Sequence, residues 1–145
     1  LRAEGENRIR LILADVAAAP PPGRYDGAYS LDVIEHVPRR AEGRFLDHIS
    51  AALEPDAILV IGTPNAAAAA HASAASRKGH VNLKDAAGLR ALLARRFRNV
   101  LLFSMNDEVV HTGFAPMAHY LLGVAQMAGI GVSYPARQLA QRRCV

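Results

Sequence analysis

Asp32, Glu35 and His36 fall within five positions of one another in the run Tyr25 to Pro38 (YDGAYSLDVIEHVP), and a further histidine, His80, stands well downstream. Two carboxylates and two imidazoles make a divalent-metal set, because hard oxygens and borderline nitrogens together suit Mg or Zn. Either imidazole, His36 or His80, can instead act as a general base that takes a proton from a hydroxyl. A third reading is structural: Glu35 and His36 merely begin a helix, whose N-terminus favours an acid. Asp32 and Glu35, at i and i+3, converge only if the chain turns from strand toward helix between them.

The flanking elements supply that turn. Tyr25 to Leu31 has the aromatic and small apolar residues of a buried strand, and Pro38 cannot continue a central ladder. The strand therefore ends among the polar residues. In open α/β sheets the crevice beyond the carboxyl ends of the strands is where ligands sit.

Upstream, Arg8 to Val16 (RIRLILADV) reads as a buried strand closed by Asp15, followed by a turn with three consecutive prolines, Pro20 to Pro22. Arg40 to Leu53 has helical spacing, with Phe45, Ile49 and Ala52 in one row, and Pro55-Asp56 breaks it. Ala57 to Gly62 is a continuously apolar strand that ends at Thr63-Pro64-Asn65. The alanine run Ala66 to Ser76 reads equally as a short helix or a flap. Asn82, with Asp85 three residues on, resembles a capping box for a helix that buries Leu89, Leu92 and Leu93.

Val100 to Met105 and His119 to Gln126 read as strands, separated by a polar stretch in which His111 is ordinarily just an exposed side chain. Strands alternating with helices predict an α/β fold with a mostly parallel sheet covered on both faces. The last two strands lack a helix between them, which predicts one antiparallel strand at the edge.

At 145 residues the chain fits one domain, with 129–145 a basic, loosely held tail. Its net charge of +4 rests almost wholly on arginine, since Lys78 and Lys84 are the only lysines. The arginines are scattered without interleaved aromatics, which disfavours nucleic acid as a partner. No apolar run reaches the ~18 residues of a membrane span. A single cysteine, Cys144, excludes an internal disulfide and fits a reducing, cytoplasmic setting.

The segments YDGAYSLDVIEHVP, LEPDAILVIGTPN and GHVNLKDAAGLRALLARRF, in that order, resemble the later half of the class I S-adenosylmethionine-dependent methyltransferases, closest to the ubiquinone-biosynthesis O-methyltransferase branch. The resemblance implies a Rossmann-like sheet, with residues 1–128 the C-terminal portion of a methyltransferase domain. It lacks the family's first strands and glycine-rich turn, roughly 60–80 residues by the usual size of two βα units. A sheet without them exposes unpaired edges, through which self-association into a homo-oligomer is expected.

The resemblance further implies S-adenosylmethionine as cofactor. Asp15 and Val16 would meet the adenine, and Ser30 and Leu31 would lie beneath the sulfur end; Asp15 capping a turn is the alternative. A metal set of Asp32, Glu35, His36 and His80 is similar to that of some small-RNA 2′-O-methyltransferases. The implied activity is methyl transfer to a hydroxyl, or less readily an amine, of a small molecule. A non-catalytic methyltransferase-fold binding module and an RNA 2′-O-methyltransferase relative are the other readings.

Overall fold

The computed structural model describes residues 9–107 and 109–127. The tail expected over 129–145, and Cys144 with it, lies outside the described residues. Among the described residues five strands form one sheet: β1 (Tyr25–Leu31), β2 (Leu53–Pro64), β3 (Asn99–Asn106), β4 (Val109–His111) and β5 (Tyr120–Gln126). Their spatial order is β1-β2-β5-β3-β4.

β1 and β2 pair in parallel across helix α1 (Arg39–Ala51), a strand-helix-strand unit. β5 is antiparallel to both β2 and β3, so β1, β2 and β3 all run the same way. The α/β expectation holds, with one adjustment: the antiparallel β5 is interior. The antiparallel strand at the edge is the three-residue β4, which pairs with β3.

Helix α1 buries Phe45, Leu46 and Ile49 against the same sheet face that α3 (Ala86–Leu93) covers with Leu89, Leu92 and Leu93. Between them lie Leu59 and Ile61 of β2 and Leu121 and Ala125 of β5. Among the described residues no helix covers the opposite face, where Tyr29, Ile58 and Leu101 stand exposed. That explains β2: Ala57, Leu59 and Ile61 are buried while Ile58 is 45% exposed, so its apolar run is packed on alternate residues only.

Residues 9–14 do not form the expected buried strand. Among the described residues they have no ladder partner, and Leu11 and Leu13 are fully exposed. A strand exists only where a neighbour supplies hydrogen bonds, and β1, on the near side, already stands at the sheet edge. Asp15 instead closes a turn: its Oδ1 accepts the Ala17 N–H at 2.9 Å, and its carbonyl accepts those of Ala18 and Ala19.

Pro55 lies inside β2, at the register shift by which Leu53 still meets Tyr25, and does not end the helix before it. The alanine run divides into an exposed 3-10 turn (Ala66–His71) and the short helix α2 (Ala74–Gly79). No described helix is long and apolar enough to cross a membrane.

Candidate active site

The polar cluster sits where β1 and β2 end. After Leu31 the chain leaves the sheet through Asp32, whose φ of +54° lies in the left-handed region. Such a conformation costs a residue with a Cβ roughly 1–3 kcal/mol, and Asp tolerates it better than most. The Asp32 N–H still reaches the Gly62 carbonyl at 3.1 Å. A single 3-10 turn, Ile34–His36, follows and carries Glu35 and His36. Ile34, fully buried, pins it to the core.

Glu35 is 1% exposed, and its Oε2 accepts the Thr63 hydroxyl at 3.2 Å. Its Oε1 faces His36 Nε2 at 3.9 Å. On the other side of that ring, Nδ1 lies 2.9 Å from the Gly79 carbonyl. A carbonyl only accepts, so in the neutral ring Nδ1 carries the proton and Nε2 keeps its lone pair. Backbone contact thus fixes the tautomer that a base or a metal ligand requires.

His80 meets His36 edge to face, with ring centroids 5.1 Å apart. Asn82 brings it there. Its N–H donates to the Glu35 carbonyl at 3.0 Å, and its Nδ2 donates to the Val37 carbonyl at 2.9 Å and to Glu42 at 2.8 Å. Asn82 is therefore a buried latch, not the helix cap that its spacing to Asp85 suggests. Asp85 caps α3 itself, accepting the Gly88 N–H at 2.7 Å.

Lys84, also buried, donates to Glu42 at 2.7 Å. Burial would raise the Glu42 carboxyl, but hydrogen bonds from Lys84 and Asn82, with the Lys84 charge, hold it below the ordinary range. Asn65 ties the mouth together from β2: its Nδ2 donates to the Ala115 and Ala118 carbonyls, and its N–H to the His119 carbonyl.

Ligand atoms of Glu35, His36 and His80 all lie within 4.8 Å of one another. Asp32 is not among them; its neighbour is Tyr120, at the start of β5. Burial first, then the charge and hydrogen bonding of Asp32, push the Tyr120 phenol far above the ordinary tyrosine range.

Beside this cluster, under the open edge of β1, runs a mostly apolar cleft of about 390 Å³. Val16, Ser30 and Leu31 line it together with Phe45 and Ile49 of α1. The Ser30 hydroxyl is the one buried side-chain polar atom without a partner among the described residues. Asp15 is absent from that lining, with one carboxylate oxygen engaged in its turn. His111 is remote, on the edge strand, where its Nδ1 accepts the Gly113 N–H at 2.9 Å.

Sequence reasoning missed Tyr120, Thr63, Asn65 and Asn82 as parts of the mouth. Thr63 and Asn65 had a signal, the break of an apolar strand into Thr-Pro-Asn. Tyr120 had none, because its partner lies across an intervening strand.

A family model described as a methyltransferase domain matches residues 3–100. No curated protein matches the chain significantly. Among solved structures the chain is similar to a methyltransferase of Thermotoga maritima, S-adenosylmethionine-dependent and a possible histamine N-methyltransferase. Identity is 14% and the TM-score 0.62, over 78% of this chain and 61% of that one. A small RNA methyltransferase gives 11% and 0.61, over 90% and 17%. An O-methyltransferase family protein of Burkholderia thailandensis gives 16% and 0.53, over 76% and 32%.

The chain thus spans between about a third and three-fifths of the first two solved relatives. These likenesses extend across oxygen and nitrogen methyltransferases, so they leave the ubiquinone branch and the atom methylated undetermined. With 3–100 matched and the S-adenosylmethionine-dependent methyltransferase fold in place, the chain belongs to the methyltransferase-domain family.

Proposed function

We propose that the chain serves S-adenosylmethionine-dependent methyl transfer to a hydroxyl of a small molecule. The observation that carries this reading is the gathering of Glu35, His36 and His80 at the sheet mouth, beside a cleft that holds an unpartnered hydroxyl. S-Adenosylmethionine, when bound, supplies a methyl group on a positively charged sulfur, already activated for in-line displacement.

The lining fits such a molecule: Val16 and Leu31 offer apolar contact, and the Ser30 hydroxyl offers the hydrogen bond it lacks in the fold. Asp15 stands outside that lining, with its Oδ1 held by the Ala17 N–H. The chain's own task is alignment and exclusion of water. His36 Nε2, its lone pair fixed by the Nδ1 contact to Gly79, would receive the acceptor's hydroxyl proton, with His80 packed against the same ring.

The 4.8 Å grouping favours a second reading of the same residues. Glu35, His36 and His80 would hold a divalent ion through one oxygen and two nitrogens, and such an ion would acidify the acceptor hydroxyl.

Calorimetric titration with S-adenosylhomocysteine, with and without Mg²⁺ or Zn²⁺, tests both readings. Heat in either condition is expected, with methyl transfer lost in His36→Ala while the cofactor still binds. No heat in any condition would remove the enzymatic reading and leave a binding module.

A further inference from the structure

A second cavity, of about 350 Å³, lies between the start of α1 and one face of α3, and it shares no residue with the cleft under β1. That volume is in the range that small molecules occupy. Gly88, Ala91 and Arg95 line it at the three- and four-residue spacing of a single helical face. The two small residues keep the groove open, and Arg95, with Arg39 from the first turn of α1, borders it in solvent. Lys84 lines it from within: it is 8% exposed, and a Cβ at Gly88 would come 3.6 Å from its Cδ. An ammonium has three N–H donors. Glu42 Oε2 takes one at 2.7 Å and Asn82 Oδ1 takes another, which leaves the third without a partner among the described residues. Arg39 and Arg95 also make no side-chain hydrogen bond or ion pair among the described residues.

We propose that this groove is a binding site for a small organic phosphate. Three cationic groups with free donors match the three terminal oxygens of a phosphate monoester, and planar guanidiniums meet such oxygens two at a time. A carboxylate has only two oxygens and leaves one of the cations unanswered. Glu42 and Asp85 also line the groove, but each is engaged: Glu42 by Lys84 and Asn82, Asp85 by the Gly88 N–H. Against three cations they leave one net positive charge. Gly88, Ala91 and Leu92 supply the apolar floor on which the body of the ester lies. The site does not rest on the methyl-transfer reading, since the cleft beside β1 is separate.

Amide-detected NMR titrations of the full chain with phenyl phosphate, inorganic phosphate and benzoate test it, at an ionic strength that screens loose surface attraction. Phenyl phosphate should bind with shifts centred on Gly88 and Ala91, and about 10-fold more tightly than either of the others. Arg39→Ala and Arg95→Ala should each weaken it about 10-fold, the effect of losing a hydrogen bond to a charged group. Both arginines are exposed, so the variants keep the fold. Arg40→Ala removes the same charge from the next residue of α1, outside the groove, and should leave the affinity unchanged. Ala91→Leu should fill the groove and abolish binding. S-adenosylhomocysteine should not displace phenyl phosphate, because the two cavities are distinct. No binding of phenyl phosphate, equal binding of benzoate or inorganic phosphate, or equal affinities in Arg39→Ala, Arg95→Ala and Arg40→Ala would each overturn the proposal. So would displacement by S-adenosylhomocysteine.

Discussion

His36 Nδ1 and the Gly79 carbonyl lie 2.9 Å apart, although 43 positions separate them in the chain. That contact orients the imidazole, leaves Nε2 facing Glu35 and brings the neighbouring His80 into edge contact. The pair of histidines is thus built by a loop docking onto a 3-10 turn, and the docking rests on Asn82.

Asn82→Ala should loosen this arrangement without unfolding the sheet. The substitution leaves the Val37 carbonyl and part of Glu42 without a buried donor, a loss of about 1–3 kcal/mol. Urea unfolding measures that loss. His80 should also move away from His36, read as a loss of the contact between their ring protons in NMR spectra; a retained contact would contradict the latch.

Zn²⁺ should bind with one ion per chain, and His80→Ala should weaken it by at least 10–100-fold, the range for losing only an outer-shell partner. Asp32→Ala should leave the affinity nearly unchanged, because Asp32 stands with Tyr120. Competition with a chromogenic chelator distinguishes the two, and equal losses would restore the four-residue set.

Gly62→Ala should destabilise the fold by about 1–3 kcal/mol, as overpacking does, because the new methyl meets Tyr120 and Leu31 closer than 3 Å. Thermal unfolding checks this. Combining it with Tyr120→Ala should cost less than the sum of the two, since the clash disappears with the ring.

Two groups set the pH limits of stability, with opposite signs. Glu42 has its folded value lowered, so its contribution is present above the ordinary glutamate range and is lost as pH falls through the lowered value. Glu42→Gln should flatten the acid limb of a stability–pH profile. Tyr120 has its folded value raised, so its contribution is complete below the ordinary tyrosine range, near 10, and declines as pH rises beyond it. Tyr120→Phe should flatten the alkaline limb. An unchanged profile in either variant would contradict the corresponding contact.

The sequence by itself determined the local elements and where the strand carrying Tyr25 to Leu31 gives way to polar residues. The apolar period of α1, the run of β2 and the Pro38 stop are encoded within a few neighbouring residues, so they were legible. The collection of Glu35, His36 and His80 was legible in residue type and, through the family resemblance, in outline.

The tertiary structure alone decided three things. Residues 9–14 have a strand's composition but no ladder partner among the described residues, and hydrogen-bond pairing is not a local property. β5 inserts antiparallel between β2 and β3, because strand order depends on which edges meet and not on sequence order. Asp32 stands apart from Glu35, His36 and His80 because the backbone turns left-handed at that one residue, and Tyr120 reaches across β2 because Gly62 has no Cβ. Convergence of side chains at a sheet mouth is fixed by backbone direction and by neighbours distant in sequence, and no pattern of spacing along the chain contains either.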